Sequence, residues 1–443
     1  MNKLALLALS ASGGLLSLSA IVSKFGAQPL PGTVSPATTK IPSSAKAAVS
    51  APTLVKADKS SKVVDAANAF LATLSPQQQT TVQVGLAPQY ASRWSNFPAA
   101  VVQRNGLFFR DLNAKQVDAA LQVARLALSK EGFNRFQEIR ATDNAFGKSE
   151  EAQRGPGGGG PRDGGGPGAS PSGGPGKGGP GRGGSRNDAG GGVDDGGVDD
   201  GPFRSGPGES RGPGGPGSGS NGGGPGGGGF GSPQDLFGQG NYIIAFLGKP
   251  SKTTPWLLQL GGHHLAFNVY YKGEAGAATP YFVGVQPNIW KDAVGKTHEP
   301  LAPMRNAMHD LVSSLNPEQL KRARLEARFD DVYVGPGQDG KFPAQSEGIE
   351  VAGLSVASKN LVKRAIDAWI GDSVQAAAYR KRYFAELNQT KVAYSGATAL
   401  KDTGDYVRID GPHVWIEFAC QASNHYHTIW RDRATDYGAA FDF

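Results

Sequence analysis

The sequence predicts an α+β domain with a largely antiparallel sheet, carried in two pieces on either side of a disordered glycine-rich insert. Three observations predict it. Apolar residues recur at helical spacing through residues 61–150. The period shifts toward two after residue 236. Strand candidates then gather toward the C-terminus with helices among them.

The N-terminus has the layout of an export signal. Lys3 supplies a short positive region, and Leu4 to Ala20 is apolar and small, broken by Gly13-Gly14. Ser17-Leu18-Ser19 suits cleavage before Ala20, and Ala27 marks a second candidate site. Residues 1–27 are therefore expected to be a signal peptide or N-terminal anchor. The protein is expected to be exported to the periplasm, the medium or the cell surface. The stretch is short for a membrane span, so membrane contact is expected only through an uncleaved anchor. Residues 28–60, rich in Pro, Ser, Thr, Ala and Lys, suit a disordered tether.

Residues 63–74 have helical spacing, and Ser75-Pro76-Gln77-Gln78 starts a second helix with Ser75 as N-cap and Gln78 closing a capping box. Asn113-Ala114-Lys115-Gln116 and Asn316-Pro317-Glu318-Gln319 repeat the device. Most of the excess of the 65 glycines and 30 prolines lies within residues 151–235. That block cannot bury enough apolar surface to offset chain entropy, which makes it a disordered insert. Its two Gly-Gly-Val-Asp-Asp copies, at 191–195 and 196–200, do not have the nonapeptide calcium spacing. Residues 236–443 form the main part of the same domain. Strands are expected at Tyr242 to Leu247, Trp256 to Tyr271 with a bulge at Gly261-Gly262, Tyr281 to Val285 and Val351 to Val356. Helices are expected from Pro303 to Leu315, Pro317 to Ala327, Asn360 to Ile370 and Val374 to Leu387. The end reads as strands: Tyr406 to Ile409, Val414 to Ala419 and Asn424 to Trp430.

The charge balance of +7 comes from scattered basic residues. A phosphate-tracking surface needs them concentrated, so nucleic acid is not expected as a partner. Cys420 is the single cysteine, which excludes an intramolecular disulfide. At strand spacing from Val414, Ile416 and Phe418, it reads as a small buried hydrophobe.

The chemistry is expected from the histidines. Only seven occur, and four of them stand as His263-His264 and as His425-Tyr426-His427. Neutral imidazole is the commonest protein metal ligand. On an extended strand, His425, His427 and Arg431 share one face, and Tyr426, Thr428, Trp430 and Asp432 the other. By the same parity His263 sides with Leu265, Phe267 and Val269, and His264 with Ala266, Asn268 and Tyr270. The more polar company favours His264 as the working residue and His263 as a core or supporting one; a bulge at the glycines would reverse them. If the two clusters meet, His263, His264, His425 and His427 form a ligand set suited to zinc or copper. Glu417 is a candidate ligand or general base, against the plainer reading of a strand-edge ion pair. Arg431 is a candidate for anchoring an anionic group, against pinning the chain end by a salt bridge, and Asp432 beside it is a further catalytic candidate. His298 and His309 read as surface residues, His413 as a turn residue within reach of the site, and Asp330 and Asp331 as turn residues. No nucleophile elbow, zincin helix, dinucleotide fingerprint or Cys-x-x-Cys is present.

Trp256-Leu257-Leu258-Gln259-Leu260-Gly261-Gly262-His263-His264-Leu265-Ala266 resembles the core signature of the family catalogued as domain of unknown function 3500. Ile409-Asp410-Gly411-Pro412, Trp415-Ile416-Glu417-Phe418 and the stretch from His425 through Thr428, Trp430, Arg431 and Asp432 to Asp436-Tyr437-Gly438 resemble its C-terminal signature. The resemblance covers about residues 65–150 and 235–443. It implies a single unit of fold holding both histidine clusters, and no particular reaction. The expected function is thus an exported protein with a histidine-rich divalent-metal site, acting as a metal-dependent hydrolase on an extracellular substrate. The alternatives are a binding protein for a metal or metal-containing ligand, and a noncatalytic cell-surface module with structural histidines.

Overall fold

The sheet is where the two pieces of the chain meet. The computed structural model describes residues 53–57, 59–149 and 236–443. The expected signal segment, most of the tether and the insert at 151–235 lie outside the described residues. The first piece holds β1 (Val55–Lys56), α1 (Ser60–Leu71), α2 (Pro76–Val82), β2 (Gln83–Val84), α3 (Pro88–Ala91), β3 (Leu107–Phe108), α4 (Ala114–Ala127) and α5 (Lys130–Phe146). The second holds β4 (Ile243–Leu247), β5 (Trp256–Gly262), β6 (Leu265–Lys272), β7 (Ala275–Ala277), β8 (Tyr281–Val285), β9 (Trp290–Lys291), β10 (Thr297–His298), α6 (Ala302–Ser313), α7 (Pro317–Ala323), β11 (Ile349–Glu350), α8 (Val356–Ile370), α9 (Ala376–Ala385), β12 (Lys391–Ser395), β13 (Tyr406–Asp410), β14 (Val414–Ala422) and β15 (His425–Asp432).

Thirteen strands form one sheet, whose main path runs β11-β12-β13-β14-β15-β8-β6-β5-β4-β2. Every pair in it is antiparallel except β2 beside β4. β3 and β2 pair with β4, and β1 with β7, so the first piece completes a sheet begun by the second. The helices start where their caps predict. Ser75, Asn113 and Asn316 each accept a hydrogen bond from the amide of the third helical residue, a glutamine whose side-chain oxygen accepts one from the cap amide.

Alternation along the strands sorts side chains onto two unlike faces. On one, Phe246, Leu260, Phe267, Tyr281, Phe418 and Trp430 pack under the helices, against residues such as Phe70, Val123, Phe136, Met308, Trp369 and Tyr379. Each such side chain contributes roughly 1.5–3 kcal/mol by leaving water. The other face carries Ala266, Phe282, Tyr406, Ala419 and Ile429, covered by Trp94, Leu325 and Val332 from segments without regular structure. That face also holds the histidines.

Three local expectations are corrected. The end of the expected tether is strand β1, because Val55 and Ala57 bury against β7 and its flank. Val351 to Val356 is not a strand: Val351–Gly353 is a 3-10 turn, and Ser355 then caps α8 by accepting from the Ser358 amide. Trp256 to Tyr271 is not one bulged strand but the hairpin β5–β6, with His263-His264 as its two-residue turn between the paired Gly262 and Leu265.

Candidate metal centre

The turn placement overrides strand parity for the first histidine pair. His264 has φ of 60°, a left-handed conformation that costs a residue with a Cβ roughly 1–2 kcal/mol. Such strain persists where surrounding structure holds it, often at functional sites. The turn swings the His264 ring toward β8, the strand between β6 and β15. Opposite it, His427 pairs with Gly284 of β8, and the Gly284 amide donates to the His264 carbonyl at 2.8 Å. A Cβ on Gly284 would lie 2.7 Å from Cδ2 of His427 and 2.9 Å from Cδ2 of His264. The glycine therefore leaves the room in which the two imidazoles approach each other across a strand.

Strand parity holds for the second pair. His425 and His427 project from the same face of β15, and their Nε2 atoms lie 3.0 Å apart. Nε2 of His425 is also 2.9 Å from Nε2 of His264. An sp² ring nitrogen is either a donor or an acceptor. Nε2 of His425 thus cannot accept from one neighbour and donate to the other, and a proton or a cation at this nitrogen answers the two that face it. His264 and His427 are buried and His425 is half-buried, which makes His425 the solvent-facing member.

Two carboxylates back the imidazoles. Oδ1 of Asp331 lies 2.8 Å from Nδ1 of His427 and fixes the tautomer that leaves Nε2 as a lone pair. Oδ1 of Asp143 lies 2.5 Å from Nδ1 of His263, while its Oδ2 accepts from the Gly238 amide at 3.0 Å. The His263 ring stacks on His264 with centroids 3.7 Å apart. Ligand atoms of His264, His425 and His427 lie within 4.8 Å of one another, as do those of Asp143, His263 and His264.

Burial pushes His264 and His425 well below the usual histidine range, and the neighbouring imidazoles add to the effect. Both therefore resist protonation near neutral pH, and a neutral imidazole keeps one ring nitrogen as a lone pair. The sign for stability follows. The unfolded chain takes up these protons near 6.5 and the folded chain only at lower pH, so this stability is present above 6.5 and lost as pH falls toward the folded values. In urea melts of metal-free protein, the gap in midpoint between pH 7.5 and 5.5 is expected to shrink in His425→Gln. An unchanged gap would contradict the assignment.

The residues chosen from sequence as catalytic stand elsewhere. Glu417 is held by the fold. It is buried and accepts from the Val334 amide at 2.8 Å, Trp415 Nε1 at 2.5 Å, the Tyr406 hydroxyl at 2.8 Å and the Tyr333 amide. Four donors occupy its two oxygens, and it is not among the grouped ligand atoms. Arg431 takes the chain-pinning role, through Asp436. Buried beneath the same loop, it donates to the carbonyls of Val334 and Gly335 and to Asp339 and Asp436. Asp432 faces the helices, where it accepts from Tyr383 at 2.9 Å, Arg382 at 3.1 Å and two amides of its own turn. Its place on the opposite face of β15 removes it from the histidines.

Glu417 and Arg431 thus grip the loop that delivers Asp331 to His427. Asp331 and Asp143 were not legible as site residues: one reads as a turn aspartate, the other as a polar position on α5. His413 does not reach the site, because its Nδ1 bonds Glu386 at 2.6 Å. His298 is not a free surface residue but is held between two carboxylates. Cys420 is buried, and burial raises its thiol to about 12.

A family model described as Protein of unknown function (DUF3500) matches residues 56–439. The chain belongs to the DUF3500 family. No curated protein and no solved structure matches it. The DUF3500 match takes in both histidine pairs, Asp143 and Asp331, so the whole centre lies within the family's span.

Proposed function

We propose that this DUF3500 chain is an exported metalloprotein in which His264, His425 and His427 hold one divalent ion, zinc or copper. The observation that carries the reading is the convergence of three Nε2 atoms, two of them on neutral imidazoles and the third with its Nδ1 bonded to a carboxylate. The donor set fits. Tetrahedral ligands about 2.0 Å from zinc stand roughly 3.3 Å apart, and the Nε2 separations of 2.9 and 3.0 Å need only small ring rotations to reach that spacing. Three protein ligands leave a tetrahedral ion one further position. When bound, such an ion supplies a Lewis acid that makes water a nucleophile near neutral pH.

Metal-dependent hydrolysis of an extracellular substrate is the reaction we assign to that arrangement. Asp331 orients His427, and the buried Asp143–His263 pair adjoins the triad. One observation favours a binding protein for a metal or metal-containing ligand instead. Glu417, Arg431 and Asp432 are all engaged in holding the fold, which leaves none of them free to exchange protons with a substrate.

Asp331→Ala tests the centre without touching a ligand. Loss of a carboxylate behind a ligating histidine typically costs 10–100-fold in metal affinity. Zinc titration against a competing chelator is expected to show about that loss, with the thermal midpoint of the metal-free protein nearly unchanged. Wild-type affinity in the variant would refute Asp331 as the orienting partner.

A further inference from the structure

The hairpin formed by β9 and β10 is bound on two sides. On one, Trp290 Nε1 donates to Thr142 Oγ1 of α5 at 2.8 Å, Arg135 of α5 donates to the Pro300 carbonyl, and His298 Nδ1 lies 2.7 Å from Glu138 Oε2. On the other, the Asn288 amide donates to the Asn424 carbonyl at 2.8 Å, and its side chain to the Ser423 carbonyl at 3.1 Å. Ser423 and Asn424 are the turn from which His425 departs. The segment 286–300 therefore ties α5, which carries Asp143, to the root of the half-buried histidine.

The tie to α5 passes through one titratable ring. His298 is stacked on Trp290, with centroids 4.3 Å apart and planes 12° from parallel. Its Nε2 lies 3.1 Å from Asp292 Oδ2, so both ring nitrogens meet carboxylates. A neutral imidazole has one N–H and satisfies one of them; an imidazolium satisfies both. The charged groups facing the ring are Glu138 from α5 and Asp292 and Lys296 from the hairpin. The 423–424 turn adds only uncharged residues.

We propose that this hairpin is a proton-operated clasp, closed on α5 while His298 carries two protons, and that closure holds the 423–424 turn and with it His425. Its effect on metal binding rests on the metal reading of the triad; the clasp itself does not. Hydrogen bonding to Glu138 first, and then to Asp292, raises the His298 pKa above its ordinary 6.5. The clasp is therefore complete below that value and released as pH rises through the folded one.

Hydrogen exchange of residues 286–300, corrected for the intrinsic pH dependence, tests this in the full chain at pH 6.0 and 8.5. Protection is expected to fall by about threefold or more at the higher pH, the scale of an exposed ion pair. His298→Gln and Glu138→Gln are expected to remove the difference. Zinc affinity, measured by chelator competition, should favour the wild type over Glu138→Gln at pH 6.0 and converge at pH 8.5. Protection independent of pH in the wild type, or equally dependent on it in Glu138→Gln, would overturn the clasp. Should zinc bind the wild type at neither pH, the metal reading fails and the exchange data alone decide the clasp.

Discussion

Replacing Arg431 with methionine is expected to lower the free energy of unfolding by about 3–5 kcal/mol, the usual cost of removing one partner of a buried ion pair. The guanidinium makes four hydrogen bonds, to the carbonyls of Val334 at 2.7 Å and Gly335 at 3.1 Å and to Asp339 and Asp436, both at 2.9 Å. It also stands 5.5 Å from the centroid of the Trp94 ring. Methionine restores the stem volume and none of the donors. Asp339 and Asp436 are then left buried without their cation. Burial already raises the Asp436 carboxyl to about 6 with Arg431 opposite it, and without Arg431 it should rise further. The Val334 carbonyl loses its arginine donor and the Gly335 carbonyl keeps only the Gln338 amide, so Asp331 should lose its fixed approach to His427. Equilibrium urea unfolding checks the first effect and zinc titration the second. A loss below about 1 kcal/mol would show that Arg431 does not hold the loop.

The second large effect separates structure from catalysis at Glu417. Glu417→Gln is expected to cost roughly 3 kcal/mol, because a carboxamide presents an N–H₂ where backbone and indole N–H donors wait. Whichever way the amide turns, it faces a fixed N–H, that of Tyr333 on one side or those of Val334 and Trp415 on the other, and only the Tyr406 hydroxyl can turn to accept. A general base replaced by glutamine would show the opposite pattern, with stability kept and turnover lost. A thermal midpoint within one degree of wild type would therefore revive the catalytic reading. A drop of several degrees with zinc affinity reduced only through the loop would support the structural one.

The contrast shows what the chain discloses by itself. The capped helices and most strands follow from local patterns, and the parity of residues 425–432 separates His427 and Arg431, which meet the 331–335 loop, from Trp430 and Asp432, which meet Tyr383. Parity names a face but not what covers it. The cover over Glu417 and Arg431 comes from residues 325–340 and Trp94, which have no periodicity to read. Polar side chains on a buried strand face then look like chemistry when they are anchors. The hairpin at His263-His264 was illegible for another reason. A two-residue turn is normally announced by glycine or asparagine, and here a histidine takes the left-handed position. Asp331 and Asp143 meet their histidines across 96 and 120 residues of chain, a separation at which one sequence offers no pairing signal.

The metal content of the protein bears most directly on the centre. Protein purified without a polyhistidine tag, loaded with zinc or copper and freed of excess ion, would be assayed beside His425→Ala/His427→Ala by elemental analysis. About one ion per chain in the wild type, and a background amount in a folded double variant, is the expected result. Equal and negligible metal in both would contradict the metal centre and leave the three imidazoles as a hydrogen-bonded part of the core.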